Sequence, residues 1–363
     1  MKEVVAIFQM ISLLLQMVQS LGYQQIETKI YNYNQKIYVL EADTKSGADV
    51  SSMLAGESVF GFAHLNVMAK EKNALAAVNG MFFDDLGSPA GLLCEAGEWI
   101  RISDIGTPSL VIADGEATIQ DIQVTASWHS KEKNGPIYAY NNGAYHGIAN
   151  VFTAFYGLSN RVFRPQVTYH IVGNKVKKRE MSEVPISIGE GYLLTYLLPE
   201  GGKLADYHWE NLPNGIPHYQ VGDTVEIKVE ARDENGSIIQ PNCVYQTGGW
   251  LVKEGQSRAS DYEEFIGYTT SLQPRTAVAI NSQGKLCFLV VDGRQKGIAE
   301  GLTGKWLADF LAEKKMKSAA YLDGGASSML YLGGRLINQP AFPDVLNGKE
   351  IAHAILIKRK LME

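Results

Sequence analysis

Short apolar runs that stop abruptly at a polar residue and glycine constrain this chain more than any other feature. Ala319-Ala320-Tyr321-Leu322 ends in Asp323-Gly324-Gly325-Ala326-Ser327-Ser328, and Leu286-Cys287-Phe288-Leu289-Val290-Val291 ends in Asp292-Gly293-Arg294. Ala74-Leu75-Ala76-Ala77-Val78 ends likewise in Asn79-Gly80-Met81-Phe82-Phe83-Asp84. Each run is too short for a helix and reads as a buried strand, while the glycines permit backbone conformations and close approaches that other residues resist. Ligand crevices of mixed sheets lie beyond the carboxyl ends of strands, so the three ends are candidates for one shared site.

Arg275-Thr276-Ala277-Val278-Ala279-Ile280 precedes the second run, and Asn281-Ser282-Gln283-Gly284 between them has the length and composition of a hairpin turn. Folding at that turn brings Arg275 to the end of the partner strand, beside Asp292 and Arg294. After Thr303, Trp306, Leu307, Phe310 and Leu311 recur at helical spacing, predicting an amphipathic crossover helix between the Asp292 and Asp323 strands. A further helix is expected over Phe62 to Lys72, and strands at Lys36 to Leu40 and Val225 to Val229.

The motifs, taken in order, resemble the phosphodiester glycosidase family. Asn79-Gly80-Met81-Phe82-Phe83 is similar to the family's Asn-Gly-Gly-aromatic-Phe, and Gly248-Gly249-Trp250-Leu251-Val252 with Gly255 to its Gly-Gly-x-x-Leu-Val-x-x-Gly. Pro274-Arg275-Thr276-Ala277, Asp292-Gly293-Arg294 with Gly301-Leu302-Thr303, and Asp323 to Ser328 correspond to three further elements, so the resemblance covers roughly residues 70 to 357. Met81 and Ala326 stand where the family usually has glycine, and the Met81 side chain is expected to narrow the sugar pocket. The resemblance implies an α+β fold: a large mixed β-sheet core with flanking helices and an embedded β-rich subdomain at 124–245, within a glycosidase domain spanning 23–363.

It also implies hydrolysis of the C–O bond of a sugar-1-phosphodiester, such as one carrying N-acetylglucosamine, to free sugar and phosphomonoester. A phosphate leaving group needs little protonation. What the reaction does need is arginine forks for the departing phosphate and a carboxylate for the oxocarbenium-like centre or the attacking water. The expected catalytic residues are Asp323 and Asp292, with Glu300 as a further carboxylate. The expected substrate-binding residues are Asn79, Gly80, Gly248, Gly249, Arg275, Thr276, Arg294, Gly324, Gly325, Ser327 and Ser328.

Structural readings of the same residues stand beside these. Asp before Gly at a strand end forms turns, Arg275 can simply pair with Asp292, Asn79 can be a turn residue, and Ser327 or Ser328 can cap a helix. The middle region, with Tyr138, Tyr140, Phe152, Phe155 and Tyr156, offers rings for sugar stacking or for a β-rich core. A metal-dependent phosphodiesterase and a non-catalytic envelope glycan-binding protein are the alternative functions.

A net charge of −6 without any basic stripe excludes non-specific nucleic-acid binding, so phosphate recognition falls to local arginines. With 363 residues, 45% hydrophobic and 20% charged, the chain can bury a sizeable core. Val4 to Val18 form an apolar segment followed by Ser20-Leu21-Gly22, which reads as a signal peptide or N-terminal anchor over residues 1–22 and an extracytoplasmic, secreted or cell-envelope location. The membrane is then a partner only where that segment stays uncleaved. Three cysteines form no disulfide framework, although a bond between Cys94 and Cys243 is conceivable, and Cys287 reads as a buried hydrophobe. The seven histidines show no ligand spacing, so no metal or cofactor is expected apart from a structural calcium near Asp84-Asp85.

Overall fold

The computed structural model describes residues 21–131, 133–341 and 347–360. Most of the expected signal or anchor segment therefore lies outside the described residues. Its last two positions, Leu21 and Gly22, open the strand Leu21–Ile30.

The expected α+β balance is corrected to a mostly β architecture. Among the described residues the α-helices are α1 (Leu65–Glu71) and α2 (Gly304–Glu313), and nearly all the remaining regular structure is strand. The reason is in the sequence: its apolar residues fall largely in short continuous or period-2 runs, which bury a face only by pairing.

One seven-stranded sheet positions the strand ends. In order it contains Leu21–Ile30, Tyr33–Ala42, Leu286–Val291, Arg275–Asn281, Met316–Leu322, Trp250–Lys253 and Gln256–Ser257. The predicted hairpin forms with Arg275 opposite Val291 and Ile280 opposite Leu286. Asn281 Oδ1 closes its turn by accepting from Gln283 N and Lys285 N at 2.9 and 3.0 Å. On its other side Arg275–Asn281 pairs antiparallel with Met316–Leu322, Thr276 lying opposite Leu322. The strands running into Asp292 and Asp323 are thus parallel to each other and flank the strand that begins at Arg275.

Helix α2 makes the crossover between those two strands. Thr303 caps it, its Oγ1 accepting from Trp306 N at 3.1 Å. The buried stripe of Leu307, Ala308 and Leu311 packs with Ala277, Ala279, Leu289, Val291 and Tyr321 on one face of the sheet. Burial of each leucine contributes roughly 1.5–3 kcal/mol. The alternate residues Val278, Ile280, Phe288, Val290, Ala320 and Leu322 point the other way, into a larger core shared with Leu110, Ile112, Tyr245, Ile355 and Ile357. This alternation decides which side chains can meet at the strand ends.

Beyond that larger core stand two five-stranded sheets. One holds Ala76–Asn79 between Leu330–Leu332 and His353–Arg359, and α1 packs against it through Leu65, Met68 and Ala69. The other places Cys243–Gln246 between Leu93–Glu95 and Ser109–Ala113. An eight-stranded sheet of strands between Gln123 and Ile239 shares with that second sheet a further core around Tyr169, Leu194 and Val244. Residues 243–245, expected in the embedded subdomain, belong to the neighbouring five-stranded sheet. All three cysteines are free. Cys94 packs into the core around Tyr169 while Cys243 packs into the larger core, so the two thiols leave their sheet on opposite faces and a Cys94–Cys243 bond is ruled out.

Candidate active site

Arg275 lies on the same face of the seven-stranded sheet as Val291 and Tyr321, and Asp323 follows Tyr321 by two residues on that face. A cavity of about 450 Å³ opens there, lined by Asp323, Gly324, Gly325, Ala326, Arg275, Arg294, Tyr321 and Lys349, with Phe82, Phe265, Ile266, Tyr268, Ser271 and Gln273 completing the wall. Of the sequence-predicted site residues, Asp323, Arg275, Arg294, Gly324 and Gly325 come together in it.

Behind the cavity, Asn79 ties the seven-stranded sheet to the five-stranded one. Its Nδ2 donates to the Asp323 carbonyl, while its Oδ1 accepts from Thr276 Oγ1 at 3.0 Å and Met329 N at 3.1 Å. Asp323 N donates in turn to the Gly80 carbonyl at 3.1 Å. A Cβ at Gly80 would stand 2.1 Å from His353 Nδ1, so glycine is required by this close approach. Asn79, Gly80 and Thr276, expected as substrate-binding, are here a buried brace for the strand end. Ser327 and Ser328 are buried beside it. Gly325 takes φ of +59° in the short 3-10 turn Gly325–Ser327.

Asp323 is half-buried, and burial pushes its carboxyl up to about 6; the Ser327 hydroxyl, the Lys349 ammonium and the Gly324 N–H only partly offset that. Arg275 is buried and satisfied by carbonyls: Nε donates to Leu302 O at 3.1 Å, and Nη2 to Thr269 O and Ser271 O at 3.2 Å each. Burial, and then the neighbouring Arg294, lower its pKa. Arg294 is exposed, with Nε donating to Gln273 Oε1 at 2.8 Å. It holds φ of +62°, a backbone conformation costly for a residue with a side chain. Among the described residues no salt bridge neutralises either arginine.

Gly248 and Gly249 do not line the cavity; they make room for Glu263. A Cβ at Gly249 would stand 1.9 Å from Glu263 Oε1, and one at Gly248 would lie 3.0 Å from Tyr321 Cβ and 3.1 Å from Phe82 Cε2. Burial raises the Glu263 pKa, against the pull of the Gly249 N–H. Glu263 belongs to a two-stranded hairpin in which Tyr262 pairs with Tyr268 and Glu263 with Gly267. That hairpin brings Phe265, Ile266 and Tyr268 to the cavity.

Two expected catalytic carboxylates lie elsewhere. Asp292 follows Val291 by one residue, so its side chain leaves the opposite face of the sheet. There Oδ1 accepts from Asn338 Nδ2 at 3.0 Å and Gln339 N at 3.1 Å, and Oδ2 from Tyr38 Oη at 3.0 Å. Its pKa is raised by burial and held back by these donors. It is a buried structural acid, and no hydrogen bond or ion pair joins it to Arg275 among the described residues. Glu300 organises its loop, accepting from Asn34 N at 3.2 Å and Gly297 N at 3.4 Å.

The expectation for Met81 is corrected in the same way. Met81 is buried in the larger core and does not narrow the cavity, whereas Ala326 does line it. Phe152 and Tyr156 are core residues, which favours the β-rich reading of the middle aromatics. Asp84 closes a turn, Oδ1 accepting from Leu86 N and Ser88 N at 2.9 Å each.

Lys349, Glu263 and the ring-bearing hairpin escaped sequence reasoning. Lys349 follows no strand-end pattern, and the hairpin's strands are two residues each. The side assigned to Asp292 was legible, since counting alternate residues from Arg275 across the turn places it on the far face.

Residues 191–358 match the family model for phosphodiester glycosidase. N-acetylglucosamine-1-phosphodiester alpha-N-acetylglucosaminidase from Mus musculus is 29% identical over 103 residues, which is 25% of this chain and 20% of that protein, so only about a fifth of the curated relative's length is spanned. Similar solved structures share the fold. A hypothetical protein from Synechocystis superposes with a TM-score of 0.76 at 18% identity, covering 94% of this chain and 62% of that one. An exported protein from Burkholderia pseudomallei gives 0.69 at 16% identity, covering 90% and 74%. The zebrafish N-acetylglucosamine-1-phosphodiester alpha-N-acetylglucosaminidase catalytic domain, auto-inhibited by its pro-peptide, gives 0.53 at 16% identity, covering 94% and 84%. Arg275, Arg294, Asp323 and Lys349 all fall inside the residues that match the phosphodiester glycosidase family model, a match that spans somewhat less than half of the chain.

Proposed function

We propose that this protein hydrolyses the anomeric C–O bond of a sugar-1-phosphodiester, releasing free sugar and a phosphomonoester. The observation that carries this reading is the gathering of Arg275, Arg294 and Lys349 around the single carboxylate of Asp323 in one cavity. Three cations against one carboxylate leave two positive charges in excess. A phosphodiester brings one negative charge and leaves as a monoester approaching two, so the excess stabilises the state toward which the reaction moves.

The roles follow from chemistry and placement. Arg275, fixed by three main-chain carbonyls, is preorganised and loses little freedom when phosphate arrives. Arg294 and Lys349, both exposed, complete the phosphate contact. As the C–O bond breaks its electron pair passes to the phosphate oxygen, which needs no general acid. Asp323 faces the positive anomeric carbon and takes a proton from the attacking water, a task suited to a carboxylate whose pKa lies near 6. An extracytoplasmic setting, with a phosphate-linked glycan as substrate, belongs to the same reading.

Hydrolysis of N-acetylglucosamine-1-phosphodiesters in oxygen-labelled water tests it. The label is expected at C1 of the released sugar, and activity is expected to persist after exhaustive chelation. Label in the phosphate, with activity restored only by a divalent metal, would make the protein a phosphodiesterase instead. Binding without any release of reducing sugar would make it a glycan-binding protein.

A further inference from the structure

The hairpin beside the cavity carries surface for which cleavage of one sugar–phosphate bond has no use. Tyr262 and Tyr268 meet edge to face across its strands, ring centroids 5.6 Å apart at 81°. They are 57% and 75% exposed, and Tyr268 also lines the cavity. Exposed aromatic pairs in mobile loops mean little, but this hairpin is anchored on every side. Phe265 at its tip stacks on Phe82 at 5.0 Å and 19°. Glu263 is buried beneath it at Gly249. Thr269 N donates to Asp261 O at 2.9 Å and Thr269 Oγ1 to Ser260 O at 2.6 Å, while Gly304 N, at the start of α2, donates to Thr269 O at 2.8 Å.

A rigid tyrosine face beside a polar pocket suits a ligand with one flat apolar side and a hydroxyl-bearing edge. A pyranose ring has that shape: its C–H face covers the aromatic ring while its hydroxyls stay in water. An alkyl tail would need a continuous apolar groove, yet Asp261, Glu264 and Ser271 around the hairpin are exposed and polar. We infer that Tyr268, backed by Tyr262, is a stacking subsite for a second sugar ring, so that the substrate is a glycan chain rather than a single sugar. The identity of the ring rests on the glycosidase reading.

The test is binding without turnover. Calorimetric titration of the intact protein with N-acetylglucosamine, tri-N-acetylchitotriose, glucose and maltotriose should show at least one trisaccharide binding about tenfold more tightly than its monosaccharide. Tyr268→Ala and Tyr268→Leu should erase that preference at unchanged melting temperature. Tyr138→Ala, at an exposed tyrosine of the eight-stranded sheet, should retain it. Equal affinities in the wild type, or a preference surviving both Tyr268 variants, would overturn the subsite. Neither result depends on catalysis, whereas the hydrolytic reading fails separately when no reducing sugar is released.

Discussion

The side-chain amide of Asn79 donates to the main-chain carbonyl of Asp323, joining a strand of one sheet to the end of a strand in another. Through the same side chain Thr276 and Met329 are held, so one buried amide fixes where Asp323 leaves the seven-stranded sheet. Replacing it with alanine strands a hydroxyl, a main-chain N–H and a carbonyl in a dry interior, each costing about 1–3 kcal/mol unless water enters. Asn79→Ala should lower unfolding stability by roughly 2–5 kcal/mol and reduce kcat more than it raises KM. Chemical denaturation together with steady-state kinetics checks this; a variant of native stability would mean the brace is dispensable.

Asp323→Asn keeps the shape of the side chain and removes its charge. We expect kcat to fall by about 10²–10⁴ with the fold intact, as when a general base is lost. Near-native turnover in a folded variant would remove Asp323 from the chemistry.

Asp323 and His353 titrate with opposite consequences. Asp323 has a folded pKa near 6, raised from 3.8, so the stability linked to its neutral form is complete below pH 4 and lost as pH rises through 6. Activity moves the other way, rising through pH 6 as the base ionises. His353 is fully buried and neutral, its pKa lowered from 6.5 to about 3 by burial. Its contribution is present above pH 6.5 and lost as pH falls toward 3, about 5 kcal/mol at the limit. Denaturation midpoints against pH should show the acid loss shrink in His353→Gln. Turnover in Asp323→Asn should show no rise through pH 6.

The two arginines should separate by their surroundings. Arg294 is exposed, so Arg294→Ala should cost about 1.5–3 kcal/mol in kcat/KM on a phosphodiester and leave stability unchanged. Arg275→Lys should lose both, because lysine cannot reproduce the fork to Leu302, Thr269 and Ser271. Equal kinetic parameters for wild type and Arg294→Ala would place the phosphate elsewhere.

The strand ends were readable because an apolar run followed by Asp-Gly or Asn-Gly combines two strong local signals, and the Asn281 turn fixed the register of the central hairpin. Register then carried information that proximity alone did not: Arg275 and Asp292 are close across the hairpin, Arg275 lying opposite Val291, yet belong to opposite faces. Lys349 reaches the cavity through a tertiary path that no local pattern encodes. The same holds for Glu263, whose burial depends on two glycines that read equally well as ligand-binding loop or turn. Mostly β content was underestimated because the two visible helical stripes, α1 and α2, stand out more than many short strands do.

Those glycines provide a test in which two substitutions should correct each other. At Gly249 an added methyl would lie 1.9 Å from Glu263 Oε1, a distance no relaxed structure sustains, so the carboxylate must move and take the hairpin with it. Because that hairpin delivers Phe265, Ile266 and Tyr268 to the cavity, Gly249→Ala should weaken substrate binding, raising KM several-fold, and lower stability by about 1–3 kcal/mol. Glu263→Ala alone removes a buried carboxyl with an unpartnered oxygen and should cost less. Combined, the two alanines leave room for the added methyl, and the double variant should be more stable than Gly249→Ala, with a coupling energy of about 0.5–3 kcal/mol in a double-mutant cycle. Strict additivity would show that the added methyl does not meet Glu263 and that Gly249 is not kept for the space it yields.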